Sequence, residues 1–403
     1  MVDAHKLDLL EKVFTPAAPL EDQALFAGRI EQLAELMLLT RQKGMHGILY
    51  GERGVGKTSL VNIFKIITEA SFDKNSVIVA KLSCYSEDNF EEVWQKVFQE
   101  IKVPNRLFAG EERGDRPAAR LDGTTRLSAV IKDDFVYTSK NIVRTLSNLK
   151  TEKLVIIFDE FDRLEERFDK KLFADVIKNV SDSHGHIKFI IVGVSEDVTN
   201  LIGEHTSIRR NLKEVHIPLM RNVELKEIIS KGMDKLQLDI DPEAEASIVT
   251  LSGGYPYYTH MLAYYACYTA ISNKKPRIEM GDVHWAAQKA IADSKEVIRQ
   301  AFQLATLANQ RNNYKEVLYA CALCNTDEHN YFQASDLERI MTVIMERPFK
   351  VPQYARHLSN LSTLERGSIL VCIGENRKKR YKFRDPLMRT YIRLLAFQAG
   401  IKI

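Results

Sequence analysis

The sequence predicts an α/β fold, a parallel sheet wrapped by helices and followed by two segments of different texture. Three observations carry this expectation. Short runs rich in β-branched and other apolar residues alternate with stretches of helical spacing through the first 220 residues. One of those runs, Leu154-Val155-Ile156-Ile157-Phe158, is apolar throughout, the mark of a strand buried on both faces. Beyond it the strand signal gives way to helical periodicity and then to a short mixed pattern. At 403 residues the chain exceeds what one core usually organises, so several domains are expected.

Residues 1–24 are mixed. They contain Phe14-Thr15-Pro16-Ala17-Ala18-Pro19, which reads as an extended arm because each proline disfavours helix at the residue before it. Gly28-Arg29 follows, then a helix over 30–39. Gly47-Ile48-Leu49-Tyr50 has the composition of a strand, and residues 60–65 have helical spacing. Between them lies Gly51-Glu52-Arg53-Gly54-Val55-Gly56-Lys57-Thr58-Ser59. A glycine-rich turn between strand and helix that ends in Lys-Thr is a P-loop: the glycines let backbone N–H groups point inward at a polyphosphate, and the helix adds the positive end of its dipole. These nine residues are therefore the candidate ATP-binding loop, with Lys57 reaching the β- and γ-phosphates and Thr58 ligating Mg²⁺. A Gly-Arg pair just upstream of such a strand is where many P-loop ATPases hold the adenine, which makes Arg29 a further candidate.

Residues 76–82 read as a second strand. Ser86-Glu87-Asp88 suggests a cap for a helix running to 101. Residues 103–126, broken by Pro104, Gly110, Gly114, Pro117 and Gly123, read as a long solvated insertion. A helix over 139–149 leads to the apolar strand and to Asp159-Glu160 at its C-terminal end, where a parallel sheet binds its ligands. Two adjacent carboxylates there have no packing reason. Asp159 can hold Mg²⁺ through water, and Glu160 can orient or deprotonate the water that attacks the γ-phosphate. The next strand, 187–194, ends at Ser195, a candidate to touch that phosphate or water. A fifth strand is expected over 213–219.

These motifs resemble those of AAA+ ATPases of the Orc1/Cdc6 type and the related prokaryotic STAND-like ATPases, over nearly the whole length. The octet Gly51–Thr58 resembles Walker A, and Phe158-Asp159-Glu160-Phe161-Asp162-Arg163-Leu164 resembles that group's Walker B. The resemblance places Ser195 at sensor 1 and Arg210 at the arginine finger that completes a neighbouring subunit's site, with Arg209 as the alternative. It implies an ATP-binding core over 25–220 and a helical lid over 221–295, in which Pro256 of Ser252-Gly253-Gly254-Tyr255-Pro256 starts a helix over the nucleotide. The lid shows no sensor 2 arginine, and His260 is a candidate to stand in for it.

Residues 296–403 read as a winged helix: helices over 313–324, 334–345 and 352–361, then a hairpin of 368–373 and 381–383, and a last helix near Pro386. This part holds 17 Lys and Arg against 10 Asp and Glu, a net +7, which leaves −4 for the rest of a chain of +3. Gln353, Arg356 and Asn360 sit on the third helix, where a major groove would be read. Arg377, Lys378, Lys379 and Arg380 sit on the wing, where phosphates would be met. The five cysteines are scattered, and Cys321 and Cys324 carry the apolar spacing of a core helix rather than a zinc site. No run reaches the roughly 18 apolar residues of a membrane span, and no leader is visible, so a cytoplasmic location without membrane contact is expected. The expected function is a Mg²⁺-dependent ATPase whose nucleotide controls assembly with copies of itself and engagement of double-stranded DNA, as in an initiator or transposition regulator. The alternative is a signalling or antiphage-defence ATPase whose winged helix binds a protein effector.

Overall fold

The computed structural model describes residues 4–72, 76–104, 124–149, 151–194, 206–307, 312–327, 329–375 and 378–401. The chain divides into two compact units, Pro19–Glu52 with Gly56–Ile217, and Met1–Ala18 with Arg53–Val55 and Pro218–Ile403. Ahead of the stretch expected as an extended arm stands a helix that the sequence reading did not anticipate, α1 (Ala4–Val13). Leu10 and Val13 lie on one face three residues apart and are buried, a helical stripe outweighed in the sequence by the prolines that follow it.

In the first unit α2 (Ile30–Arg41) precedes β1 (His46–Tyr50), α3 (Lys57–Ala70), β2 (Val77–Ser83) and α4 (Phe90–Glu100). Then come α5 (Ser139–Ser147), β3 (Lys153–Asp159), α6 (Lys170–Ser183), β4 (Ile187–Gly193) and β5 (Leu212–His216). The five strands form one parallel sheet in the order β2-β3-β4-β1-β5. Because every strand points the same way, Gly51, Ser83 and Asp159 lie at one edge, and the register sets Ser83 opposite Asp159. The last strand stops at His216, earlier than expected, since Pro218 has no N–H to continue the ladder.

Leu154 to Phe158 are all fully buried, as a strand covered on both faces requires. Trp94 of α4 stands at the centre of an aromatic cluster, with ring centroids 5.9 Å from Phe158, 6.1 Å from Phe189 and 6.4 Å from Phe173. The ring of Phe161 lies 5.0 Å from that of Phe173, so the residues on either side of Asp159-Glu160 are both anchored in the core. The cap of α4 is Asn89, not the residues before it: its side chain accepts from Glu92 N at 2.9 Å while Glu92 accepts from Asn89 N at 2.7 Å. Asp88 serves elsewhere, accepting from Tyr85 N and Lys96 Nζ. Most of the expected insertion lies outside the described residues; its flanks pair antiparallel, Val103 opposite Thr125.

The second unit packs α1 with α7 (Asn222–Leu236), α8 (Pro242–Ser252), α9 (Pro256–Ser272) and α10 (Met280–Ala292). Ala263, Ala266 and Ala270 of α9 and Ala286, Ala287 and Ala290 of α10 are fully buried, and such short side chains allow close helix packing. Further along are α11 (Glu296–Thr306), which the sequence reading did not anticipate, α12 (Tyr314–Leu323), α13 (Glu338–Ile344) and α14 (Val351–Leu361). A hairpin of β6 (Leu370–Ile373) and β7 (Arg380–Phe383) precedes α15 (Pro386–Gln398), and Tyr381 also bridges to Phe332. Arg389 and Arg393 each donate from Nε to the carbonyl of Ala322, at 3.2 and 2.8 Å, closing the C-terminal end of α12 with positive charge. Cys321 and Cys324 are buried in this core, with Cys324 Sγ donating to the Cys321 carbonyl.

Each unit also holds a neutral histidine, fully buried at His46 and half-buried at His260. His46 Nδ1 accepts from Phe189 N at 2.9 Å, so Nε2 carries the proton and donates to Ser181 Oγ at 2.9 Å. His260 Nδ1 accepts from Thr15 N at 3.3 Å. Burial holds the first pKa down at about 3 and the second at about 4. Both folded values lie below the unfolded value of about 6.5, so the contribution is complete above that pH and is lost as pH falls through the window down to the folded pKa. Denaturant unfolding followed from pH 7 to pH 5 should show falling stability, at up to about 1.4 kcal/mol per pH unit for each histidine. His260→Gln should flatten the slope of the transition that reports its own unit.

Candidate functional site

At the end of β1 the chain must turn beneath the carbonyl of Ile217, where a Cβ on Gly51 would fall 2.4 Å from that oxygen. It enters α3 through Gly56 at φ 91, left-handed backbone that a side chain would strain. The first turn of α3 holds no acidic residue, so the positive end of its dipole is not neutralised from within. Lys57 Nζ donates to the carbonyls of Gly51 at 2.8 Å and Glu52 at 2.7 Å, which folds the ammonium back into the loop. Ser59 accepts from Leu20 N at 3.1 Å, and its hydroxyl thus ties α3 to the segment before α2.

Thr58 and Asp159, a hundred residues apart, meet at the edge of the sheet: Thr58 Oγ1 donates to Asp159 Oδ1 at 3.5 Å. That oxygen also accepts from Glu160 N at 3.0 Å, while Oδ2 pairs with Lys81 Nζ at 3.1 Å. Asp159 is 2% exposed, and such partners offset the cost of burying a carboxylate. A hydroxyl and a carboxylate within reach of each other form a hard oxygen donor set of the kind Mg²⁺ takes.

Glu160 stands apart from this buried pair. Its backbone is left-handed at φ 55, its side chain is half exposed, and Oε2 pairs with Arg163 Nη1 at 2.8 Å. The Arg163 guanidinium lies 5.3 Å from the Tyr85 ring centroid, and Lys96 Nζ lies 4.2 Å from it. Asp162 accepts from Val194 N at 2.7 Å, joining this turn to the end of β4. Ser195, the next residue, lies outside the described residues. Lys81, Asp162 and Arg163 were not singled out by sequence reasoning; the one signal for Lys81 is a charge inside an otherwise apolar strand.

Arg29 is buried at the N-terminus of α2, at φ 59. Arg209 ends a short helix, Thr206–Arg209, and both it and Arg210 are exposed before β5. In the second unit Pro256 opens α9 after Gly253 and Gly254, whose φ values are 61 and 89, with Tyr255 as the cap between. His260 is half-buried, accepts from Thr15 N through Nδ1 and is held neutral at pH 7 by its lowered pKa, so it does not bring the positive charge of a lid arginine.

On α14, Arg356 is exposed, whereas Gln353 accepts from Lys350 N at 2.7 Å and Asn360 donates to Tyr314 Oη at 2.7 Å. On the hairpin, Arg380 pairs with Asp327 at 3.2 Å and stacks on Tyr331, with Lys382 near the same ring. Lys378 is exposed and Lys379 partly so, and Arg377 lies outside the described residues.

A family model described as an ATPase domain predominantly from Archaea matches residues 26–262. No curated protein matches the chain. Among solved structures it is similar to the Aeropyrum pernix ORC2 protein, seen in ADPNP–ADP complexes, at 14% identity and a TM-score of 0.53, covering 97% of this chain and 98% of that one. It is likewise similar to the Walker-type ATPase paby2304 of Pyrococcus abyssi, at 18% identity and a TM-score of 0.53, covering 94% and 99%. The shared fold is the AAA+ P-loop fold.

Lys57→Ala removes the ammonium folded into the loop while leaving the glycine turn. It should weaken binding of a nucleoside triphosphate by about 10- to 100-fold, the range for a lost hydrogen bond to a charged group, as read by calorimetry or a fluorescent analogue. Unchanged affinity would show that the phosphates bind elsewhere.

Proposed function

The chain belongs to the ATPase domain family found predominantly in Archaea, and on that premise we propose that it is a Mg²⁺-dependent, nucleotide-controlled assembly switch whose C-terminal segment engages double-stranded DNA. Its reaction is hydrolysis of ATP to ADP and phosphate. The observation that carries the Mg²⁺ assignment is the meeting of Thr58 and Asp159 at 3.5 Å. Those two residues would hold the ion, which would supply positive charge to offset that of the phosphates.

In this reading Lys57 and the N–H groups of the loop hold the phosphates, and Arg29 belongs to the nucleotide site. Glu160 orients or deprotonates the attacking water, and its exposure supports access to a substrate held at the sheet edge. Ser195 senses the γ-phosphate from the end of β4. The exposure of Arg210 supports a finger donated to a second copy of the chain, with Arg209 as its neighbour in reserve. Assembly would then follow the nucleotide, because a finger completes a site only across an interface.

The C-terminal helices and hairpin are read as a winged helix. The local net charge of +7, with exposed Arg356 and Lys378, supports contact with phosphates. A second reading, a protein effector bound by the same segment, draws support from the internal bonds of Gln353 and Asn360, which occupy two of the three side chains expected to read bases.

Glu160→Gln keeps the shape of the side chain and removes its basicity. Single-turnover hydrolysis should fall by about a hundredfold or more with nucleotide affinity retained, the range for a general base. Hydrolysis at the parent rate would remove Glu160 from the reaction.

Changing Arg377, Lys378, Lys379 and Arg380 together to Ala should weaken duplex binding similarly across sequences. The log–log salt slope should shrink by roughly 0.9 per lost phosphate contact. Arg380→Ala alone should change it least, because Asp327 already balances that charge. Fluorescence anisotropy over a salt series measures both, and an unchanged slope in the fourfold variant would turn the proposal to a protein effector.

A further inference from the structure

Lys81 stands in the interior of β2, in the run Val77-Ile78-Val79-Ala80-Lys81-Leu82, where neighbouring residues pack into the core. Its stem crosses toward the sheet edge, and its ammonium ends between two acceptors, Asn62 Oδ1 of α3 at 2.6 Å and Asp159 Oδ2 of β3 at 3.1 Å. The Lys81 side chain is 18% exposed and that of Asp159 is 3% exposed, so the pair is poorly screened by water. The two oxygens of Asp159 are thus divided: Oδ1 faces Thr58 and Glu160 N, and Oδ2 faces Lys81.

We propose that Lys81 is a positioning residue of the cation site, which fixes Asp159 through Oδ2 and, by its charge, keeps the site from binding a divalent cation tightly without nucleotide. The inference rests on the assignment of Thr58 and Asp159 as the Mg²⁺-holding pair. A buried carboxylate with no counter-charge would attract any divalent cation; with an ammonium at 3.1 Å most of that attraction is already satisfied. The phosphates of the nucleotide restore the negative charge, so cation and nucleotide bind together. Holding Oδ2 also prevents the carboxylate from rotating away from Thr58, and the bond to Asn62 fixes the ammonium from the side of the P-loop helix.

The test uses the full chain and Mn²⁺ as the probe, its binding read by electron paramagnetic resonance without nucleotide and with ADP. Lys81→Met and Lys81→Gln should each bind Mn²⁺ alone about tenfold or more tighter than the parent, and the gain in affinity on adding ADP should shrink. Lys81→Arg should behave as the parent, since the charge is kept. Should Lys81→Met fold poorly, Lys81→Gln, which retains a donor for Asp159, carries the measurement. For either variant the rise in Tm on adding Mn²⁺ should exceed the parent's, an effect that loss of packing alone would not produce. Unchanged or weaker binding of Mn²⁺ alone in Lys81→Gln would overturn the proposal. The underlying assignment is tested separately by Asp159→Asn: if Mn²⁺ binding in the presence of ADP survives that change, Asp159 does not belong to the cation site and both ideas fall.

Discussion

The buried carboxylate of Asp159 is the constraint on which the site depends. A carboxylate at 2% exposure must be paired on both oxygens, and its partners come from three separate elements: Thr58 at the start of α3, Lys81 within β2, and the backbone of Glu160 just past β3. They can converge because the sheet is parallel and all its strands end at one edge. The aromatic cluster around Trp94 holds the end of β3 in place, since Phe158 and Phe161 are both packed into it. Packing in the core is therefore converted into the position of one charged group.

The adjacent carboxylate has the opposite surroundings. Glu160 projects from a left-handed turn into a half-exposed position, with one oxygen on Arg163 and the cation-flanked ring of Tyr85 behind it. Two neighbouring acids are thus placed very differently, one buried with both oxygens paired and one half exposed with a single ion-pair partner. The turn that separates them is tied in turn to the end of β4 through Asp162 and Val194. Val194 is thus fixed to the turn that carries Glu160.

In the C-terminal segment, charge counted along the sequence and charge offered at the surface differ. Arg380 is balanced by Asp327, and Arg389 and Arg393 are spent inside on the end of α12. Likewise Gln353 caps its own helix and Asn360 bonds to Tyr314. What remains outward is a smaller basic surface that includes Arg356 and Lys378.

The sequence alone determined the parallel α/β core, the P-loop and the Asp159-Glu160 pair, because each is local: a turn needs its glycines, a doubly covered strand needs a run of apolar residues, and carboxylates at its end stand out against that run. It missed α1, whose short apolar stripe precedes two prolines, and it placed the cap of α4 a residue or more early, because Asp88 and Asn89 are both good caps and only the surrounding contacts choose between them. Only the tertiary structure decided that Lys81 faces Asp159, that Arg163 faces Glu160, and that His260 lies under Thr15. Those pairings join residues by their place on a sheet edge or a helix face, and a charged or polar side chain in a sequence does not carry the identity of the partner that burial will give it.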